Sequence, residues 1–268
     1  MPETLTEAAA RIVLTSDPFQ KAEISSSIAR QWQRGEIREI GMARPVDCPG
    51  RPKKPVLLPP QEMPRRRAGG APHRRLSLLH ALAHIELNAI NLAWDLIGRF
   101  AENIPAWPRQ FFNDWVRVAG EEAGHFLMLS YRLTELGSAY GALPAHDGLW
   151  QTAVITDDDA LARLAIVPLV LEARGLDVTP VMITQLSSAG DCISAQVLQR
   201  ILDDEIGHVA IGKIWFDWLC KQRGLDPVHQ FQSLVRARFI GRVKPPFNQD
   251  ARQSASFEAA YYEILQYD

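Results

Sequence analysis

Three segments, 76–100 (LSLLHALAHIELNAINLAWDLIGRF), 107–137 (WPRQFFNDWVRVAGEEAGHFLMLSYRLTELG) and 192–224 (CISAQVLQRILDDEIGHVAIGKIWFDWLCKQRG), carry apolar residues at the three- and four-residue spacing of one helix face. Stripes this long must be buried against one another, so the spacing predicts an all-α protein. Gly137 and Gly224 fall where a helix ends in a left-handed residue. A fourth helix is predicted from about Asp157 to Ser187, opened by Asp157-Asp158-Asp159, whose charge suits a positive helix end. Pro168 and Pro180 predict that this helix is kinked or interrupted. The connection 138–156 contains Gly141, Pro144 and Gly148 and is longer than a helix hairpin needs. Helices joined short, long, short make a four-helix bundle with one long crossover.

The flanks read differently. Residues 1–40 form two short helical pieces broken at Ser16-Asp17-Pro18, where Asp17 caps and Pro18 enters the first turn. From Gly41 to Pro72 the chain is dense in proline, with Pro59-Pro60 and Gly69-Gly70, which forbids long helices and predicts an extended strap. The expected organisation is an N-terminal helical appendage and Pro/Arg-rich strap over 1–72, the bundle over 73–225, and C-terminal helices packed on it over 226–268. No strand signal, internal repeat or glycine-rich phosphate loop stands out.

Composition narrows the chemistry. The 47% hydrophobic content supplies a core, and 29 basic against 31 acidic residues leave no global field to steer the chain toward nucleic acid or membrane. Cys48, Cys192 and Cys220 form no CxxC pair, which argues against a disulfide framework and a thiolate zinc site and fits a reducing cytoplasm. The N-terminal stretch carries acids rather than a basic leader, and no apolar run reaches the about 18 residues that span a bilayer. A cytoplasmic protein without a membrane partner is expected.

Against this background Glu122-Ala-Gly-His125 and Glu205-Ile-Gly-His208 stand out, two Glu-x-x-His pairs on apolar helical segments. Residues three apart differ by about 60° in azimuth and about 4.5 Å in height, so carboxylate and imidazole can converge on one ion. Chance supplies roughly 0.4 such spacings at this composition. The remaining long helices each offer a glutamate in apolar surroundings, Glu86 in HIELNAINL and Glu172 in VPLVLEARGL. Glu86, Glu122, Glu172 and Glu205 with His125 and His208 make the ligand set of a di-metal carboxylate bundle. Without cations these acids repel one another and lose hydration, whereas two divalent ions neutralise them. Oxygen and imidazole donors suit iron first, then manganese or a mixed pair. Glu122 and Glu205 are assigned as bridges, Glu86 and Glu172 as terminal ligands, and one histidine to each metal.

At these residues the sequence resembles the ferritin-like superfamily and, more closely, its bacterial family catalogued as domain of unknown function 455. HALAHIELNAINLAWD, EEAGHF, LEARGLD, DDEIGHV and KPPFNQDAR carry the resemblance, which runs from about residue 10 to the end. It implies a helical bundle with a di-iron-type centre and supplies no substrate. In oxygen-activating relatives an acid directly before the metal glutamate often orients a histidine; Glu121 and Asp204 hold those places, with a water-facing position for either as the equal alternative.

The reaction expected is O2- or peroxide-dependent oxidation or hydroxylation of a small organic or nucleoside-like substrate, drawing on an external electron donor. The alternatives are a ferroxidase or peroxide scavenger and a non-catalytic metal-binding protein. The strap cations Arg51, Lys53, Lys54, Arg65, Arg66, Arg67, Arg74 and Arg75 are read first as a solvated arm or a pinned lid; since some ferritin-like hydroxylases modify tRNA, RNA contact is the alternative. His80, His84, Trp94, Trp107, Trp115, Trp150, Trp215, Trp218, Cys192 and Cys220 are expected to serve packing. Asp226 is expected to cap a helix, and Arg174 with Asp177 to form an intrahelical ion pair. Apolar helix faces outside the bundle leave room for a homodimer.

Overall fold

The computed structural model describes residues 3–63, 71–103 and 106–267, and among them the chain is all-helical, with no strand beyond an isolated bridge between Leu57 and Ala145. The chain divides into two compact units, Met1–Gln151 and Thr152–Asp268. The expected boundaries at 72/73 and 225/226 therefore each fall inside one unit.

In the first unit α1 (Leu5–Leu14) starts at Thr4, whose hydroxyl and Glu7 form a reciprocal capping box. Asp17 caps α2 (Pro18–Gln33) through Gln20 N–H at 2.8 Å, and Pro18 occupies the first turn. The long helices α3 (Ala71–Arg99) and α4 (Arg109–Glu135) run antiparallel across a short connection, and Gly137 ends the pair at φ 76°.

The N-terminal helices are structural members of this unit. The Ser25 hydroxyl, wholly buried on α2, donates to Ala119 O at 2.9 Å and accepts from Trp94 Nε1–H at 2.8 Å, tying α2 to both long helices. Over residues 41–63 the strap runs extended, with one 3₁₀ turn at Pro60–Glu62, but its expected end at Pro72 is corrected: α3 already begins at Ala71, which places Arg74 and Arg75 on that helix. The strap is pinned where Arg44 N–H donates to Gly98 O, where Leu58 N–H donates to Ala145 O, and where Arg51 meets Asp147 at 2.5 Å. Arg65, Arg66, Arg67 and the Gly69-Gly70 pair lie outside the described residues.

The short α5 (Gly148–Val154) leads into the second unit. There Asp159 caps α6 (Ala160–Ile166), as the acidic triplet predicts. The helix then widens into a π-helical turn over Val167–Glu172 before α7 (Ala173–Ser188). Pro168 sits in that turn; it lacks the N–H that an α-helical ladder would use, so the chain locally adopts the wider spacing. Pro180, by contrast, is accommodated inside α7.

A three-residue connection returns the chain through α8 (Cys192–Gln222), closed by Gly224 at φ 66°. Asp226 caps α9 (Pro227–Arg238) through His229 N–H at 2.8 Å, as expected. The C-terminal α10 (Gln249–Ser254) and α11 (Ala259–Tyr262) follow. Phe216, Phe231, Phe257 and Tyr261 pack through edge and tilted contacts and bind these elements to α8 and α9.

The approach of α8 to the π turn is close. A Cβ at Gly212 would stand 2.3 Å from Pro168 Cβ, well inside contact. Gly212→Ala should therefore destabilise the protein by about 1–3 kcal/mol through forced displacement of the turn. A fall in the thermal melting midpoint of the purified variant is the expected result.

Candidate metal centre

Glu86 lies as far before the end of α3 as Glu122 lies after the start of α4, so the antiparallel register brings them to one level. His125, three residues beyond Glu122, turns onto the same face. Its Nδ1 is 3.5 Å from Glu86 Oε2 and 3.5 Å from Glu122 Oε2. Each of the three offers a ligand atom, and those atoms lie within 4.8 Å of one another. All are buried, with exposures of 4%, 1% and 1%, far below what acids and histidine ordinarily show.

Electrostatics match this geometry. Burial first, and then the negative charge of Glu122, push the Glu86 carboxyl well above its usual range, against a lowering contribution from His125. Two carboxylates enclosed with one imidazole form a site that favours added positive charge. Carboxylate oxygen and imidazole nitrogen are the donor types that iron and manganese accept, so these side chains fit such an ion.

The second unit carries the other expected residues. His208 Nδ1 lies 3.5 Å from Glu205 Oε1 on α8, with His208 buried and Glu205 half-buried. Glu172 ends the π turn and is half-buried. Glu172 follows Pro168 by one turn toward the α7/α8 connection, and His208 precedes Gly212 by one turn toward the same connection. The Pro168–Gly212 contact thus puts Glu172 and His208 at one level of the hairpin.

Glu121 is half-buried on α4. Asp204 is also half-buried and accepts from Arg200 Nε–H at 2.8 Å. His84 is a packing residue, its Nδ1 at 2.9 Å from Tyr140 Oη and its Nε2 at 3.1 Å from His146 O. His80 likewise accepts from Gly141 N–H at 2.9 Å. Trp94, Trp107, Trp115, Trp150 and Trp215 are buried and Trp218 half-buried, in keeping with the core reading.

Two expectations are corrected. Cys192 is exposed, because it begins α8 on the outer side of its first turn, while Cys220 is buried as expected. Asp177 does not chiefly serve Arg174, which stands 3.5 Å away. It is bound by Arg252, whose Nε–H and Nη2–H reach Oδ1 and Oδ2 at 2.9 and 2.8 Å. That partner comes from α10, so no spacing within LEARGLD announces it. The buried cations Lys21 and Arg163 were also missed, for the same reason: their partners come from remote segments or backbone carbonyls.

The family described as "Protein of unknown function (DUF455)" matches residues 14–263, and the chain belongs to that family. A Haemophilus influenzae protein described as "Uncharacterized protein" is 43% identical over 209 residues, which cover 77% of this chain and 72% of that one. No solved structure matches the chain.

A buried acid held above its usual range binds its proton more tightly folded than unfolded. Metal-free protein therefore loses stability as pH rises from the ordinary carboxylate range toward the raised value. Glu86→Gln removes that loss. In chelator at neutral pH its melting midpoint should exceed the wild type by at least about 2 °C, with the difference vanishing in acid.

Proposed function

We propose that this chain is a ferritin-like di-iron oxidoreductase, in which Glu86, Glu122, His125, Glu172, Glu205 and His208 hold two iron ions, with manganese as the alternative metal. The observation that carries the reading is the buried Glu86–Glu122–His125 cluster, which encloses like charges in the middle of two long helices. Support also comes from the second Glu-x-x-His pair, whose histidine is buried at the level of Glu172. In this reading α3, α4, the α6–α7 helix and α8 are the four helices of the bundle, and α5 lies in its crossover.

Bound iron would supply redox chemistry with O2 or peroxide, at the expense of an external electron donor. The chain's own residues hold and tune that chemistry. Glu86 and Glu122 give up protons and contribute negative charge, while His125 and His208 fix their ring orientation against the neighbouring glutamates at 3.5 Å. Burial keeps water away from these groups and strengthens every charge interaction among them. Glu121 and Asp204 act as positioning residues for the imidazoles. The substrate is a small organic or nucleoside-like molecule.

The test is anaerobic loading of the purified chain with ferrous iron followed by oxygen. About two irons per chain and an oxygen-dependent change in the absorption spectrum are expected. Glu122→Ala and Glu205→Ala should lose most bound iron, while Glu121→Gln keeps the stoichiometry and alters the rate of the spectral change. Unchanged iron content in both alanine variants would overturn the ligand assignment. A spectrum indifferent to oxygen would reduce the protein to metal binding, and peroxide consumption without organic substrate would make it a scavenger.

A further inference from the structure

The second unit contains a cavity of about 180 Å³ against the π turn, distinct from the residues assigned to the metals. One wall is Leu169, Val170 and Leu171 of the turn itself, and the opposite side is the irregular segment 239–247. Four cations line it, Arg174, Arg242, Lys244 and Arg252, against a single carboxylate, Asp177. Its floor is enclosed: Arg252 is 3% exposed and Phe231 fully buried. Its mouth is open, because Arg242 and Lys244 are exposed.

The one acid is already committed. Asp177 accepts both Arg252 bonds and Asn248 N–H at 2.9 Å. Arg174 Nη1–H donates to Lys244 O at 2.8 Å and Pro246 O at 3.2 Å, which holds the far wall in place. Arg252 lies over the rings of Phe247 and Tyr262 at 5.1 and 4.1 Å, and its buried Nη1 has no hydrogen-bond partner among the described residues. A buried guanidinium nitrogen left in that state is uncommon and costs free energy unless something accepts from it.

We infer that this cavity binds a small organic anion, a carboxylate or phosphate monoester carried on a flat apolar body. Arg242 and Lys244 at the mouth attract the anionic group, and the guanidinium groups supply planar, paired donors that match carboxylate and phosphate oxygens. The aromatic and aliphatic walls cover the apolar body. The volume is below the ~300–1,000 Å³ of pockets for drug-sized ligands, which restricts the occupant to roughly one ring or a short chain. A merely solvated basic patch would lack the enclosed floor and the aromatic stacking around Arg252.

Binding is read by ligand-observed NMR on the full chain as purified, with benzoate, phenyl phosphate and the neutral benzyl alcohol as probes. At least one anion should bind with a Kd at or below about 1 mM, and the alcohol at least about ten-fold more weakly. The order of benzoate and phenyl phosphate tells carboxylate from phosphate. The double variant Arg242→Gln/Lys244→Gln should raise the Kd by about ten-fold or more at an unchanged melting midpoint, and Lys244→Gln alone should shift it less in the same direction. No binding of either anion at about 10 mM, equal binding of the alcohol, or a wild-type Kd in the double variant would overturn the inference. The readout is binding rather than turnover, so such a failure would leave the di-iron reading standing.

Discussion

The carboxylates of Glu86 and Glu122 lie out of water beside the His125 ring, and α3 and α4 are arranged around that contact. Enclosing like charges works against folding, so the surrounding helices must be held together by something else. In the first unit that is apolar packing by wholly buried Ile90, Ala119, Ala123 and Phe126, reinforced where Ser25 bonds to both long helices. A chain selected only for stability would fill the Glu86 position with leucine. An acid there is a local inconsistency that works against stability, and the proposed metal centre would account for it.

The second unit solves a related problem through its backbone. An uninterrupted α-helix from α6 to α7 would present Glu172 at a different azimuth, since a π turn inserts extra chain into the ladder. Pro168 makes that turn favourable locally, and Gly212 lets α8 come close enough to lock it. The two residues are remote in sequence and meet at this one close contact.

Much of this was readable beforehand, and what was not has a common cause. Helical period, the Asp17, Asp159 and Asp226 caps, and the glycines closing α4 and α8 are local, and the local chemistry decides them. The Glu-x-x-His pairs were legible because both members of a pair lie on one helix turn. The interruption at Pro168 was foreseeable but its π geometry was not, because a proline in a helical pattern signals a break without fixing the hydrogen-bond spacing that replaces the α ladder. Cys192 could be taken for buried because the period on α8 does not fix the orientation of its first turn. The Asp177–Arg252 pair joins LEARGLD to KPPFNQDAR, two segments whose separate patterns say nothing of their meeting.

The cations explain how so much irregular chain is held. A proline-rich strap is short of backbone N–H groups but keeps every carbonyl, so it needs donors from outside. Long basic side chains provide them. Lys21, pushed down to about 7 by burial and the charge of Arg51, still directs its three donors at Val13 O, Gly50 O and Asn91 Oδ1. Arg99 donates to Val46 O, Arg174 to Lys244 O and Pro246 O, and Arg238 to Ile155 O. These side chains thus act as fasteners for carbonyls at helix ends and in irregular chain. At the π-turn cavity Arg174 is such a fastener, and the exposed Arg242 and Lys244 make the wall it holds a positively charged opening.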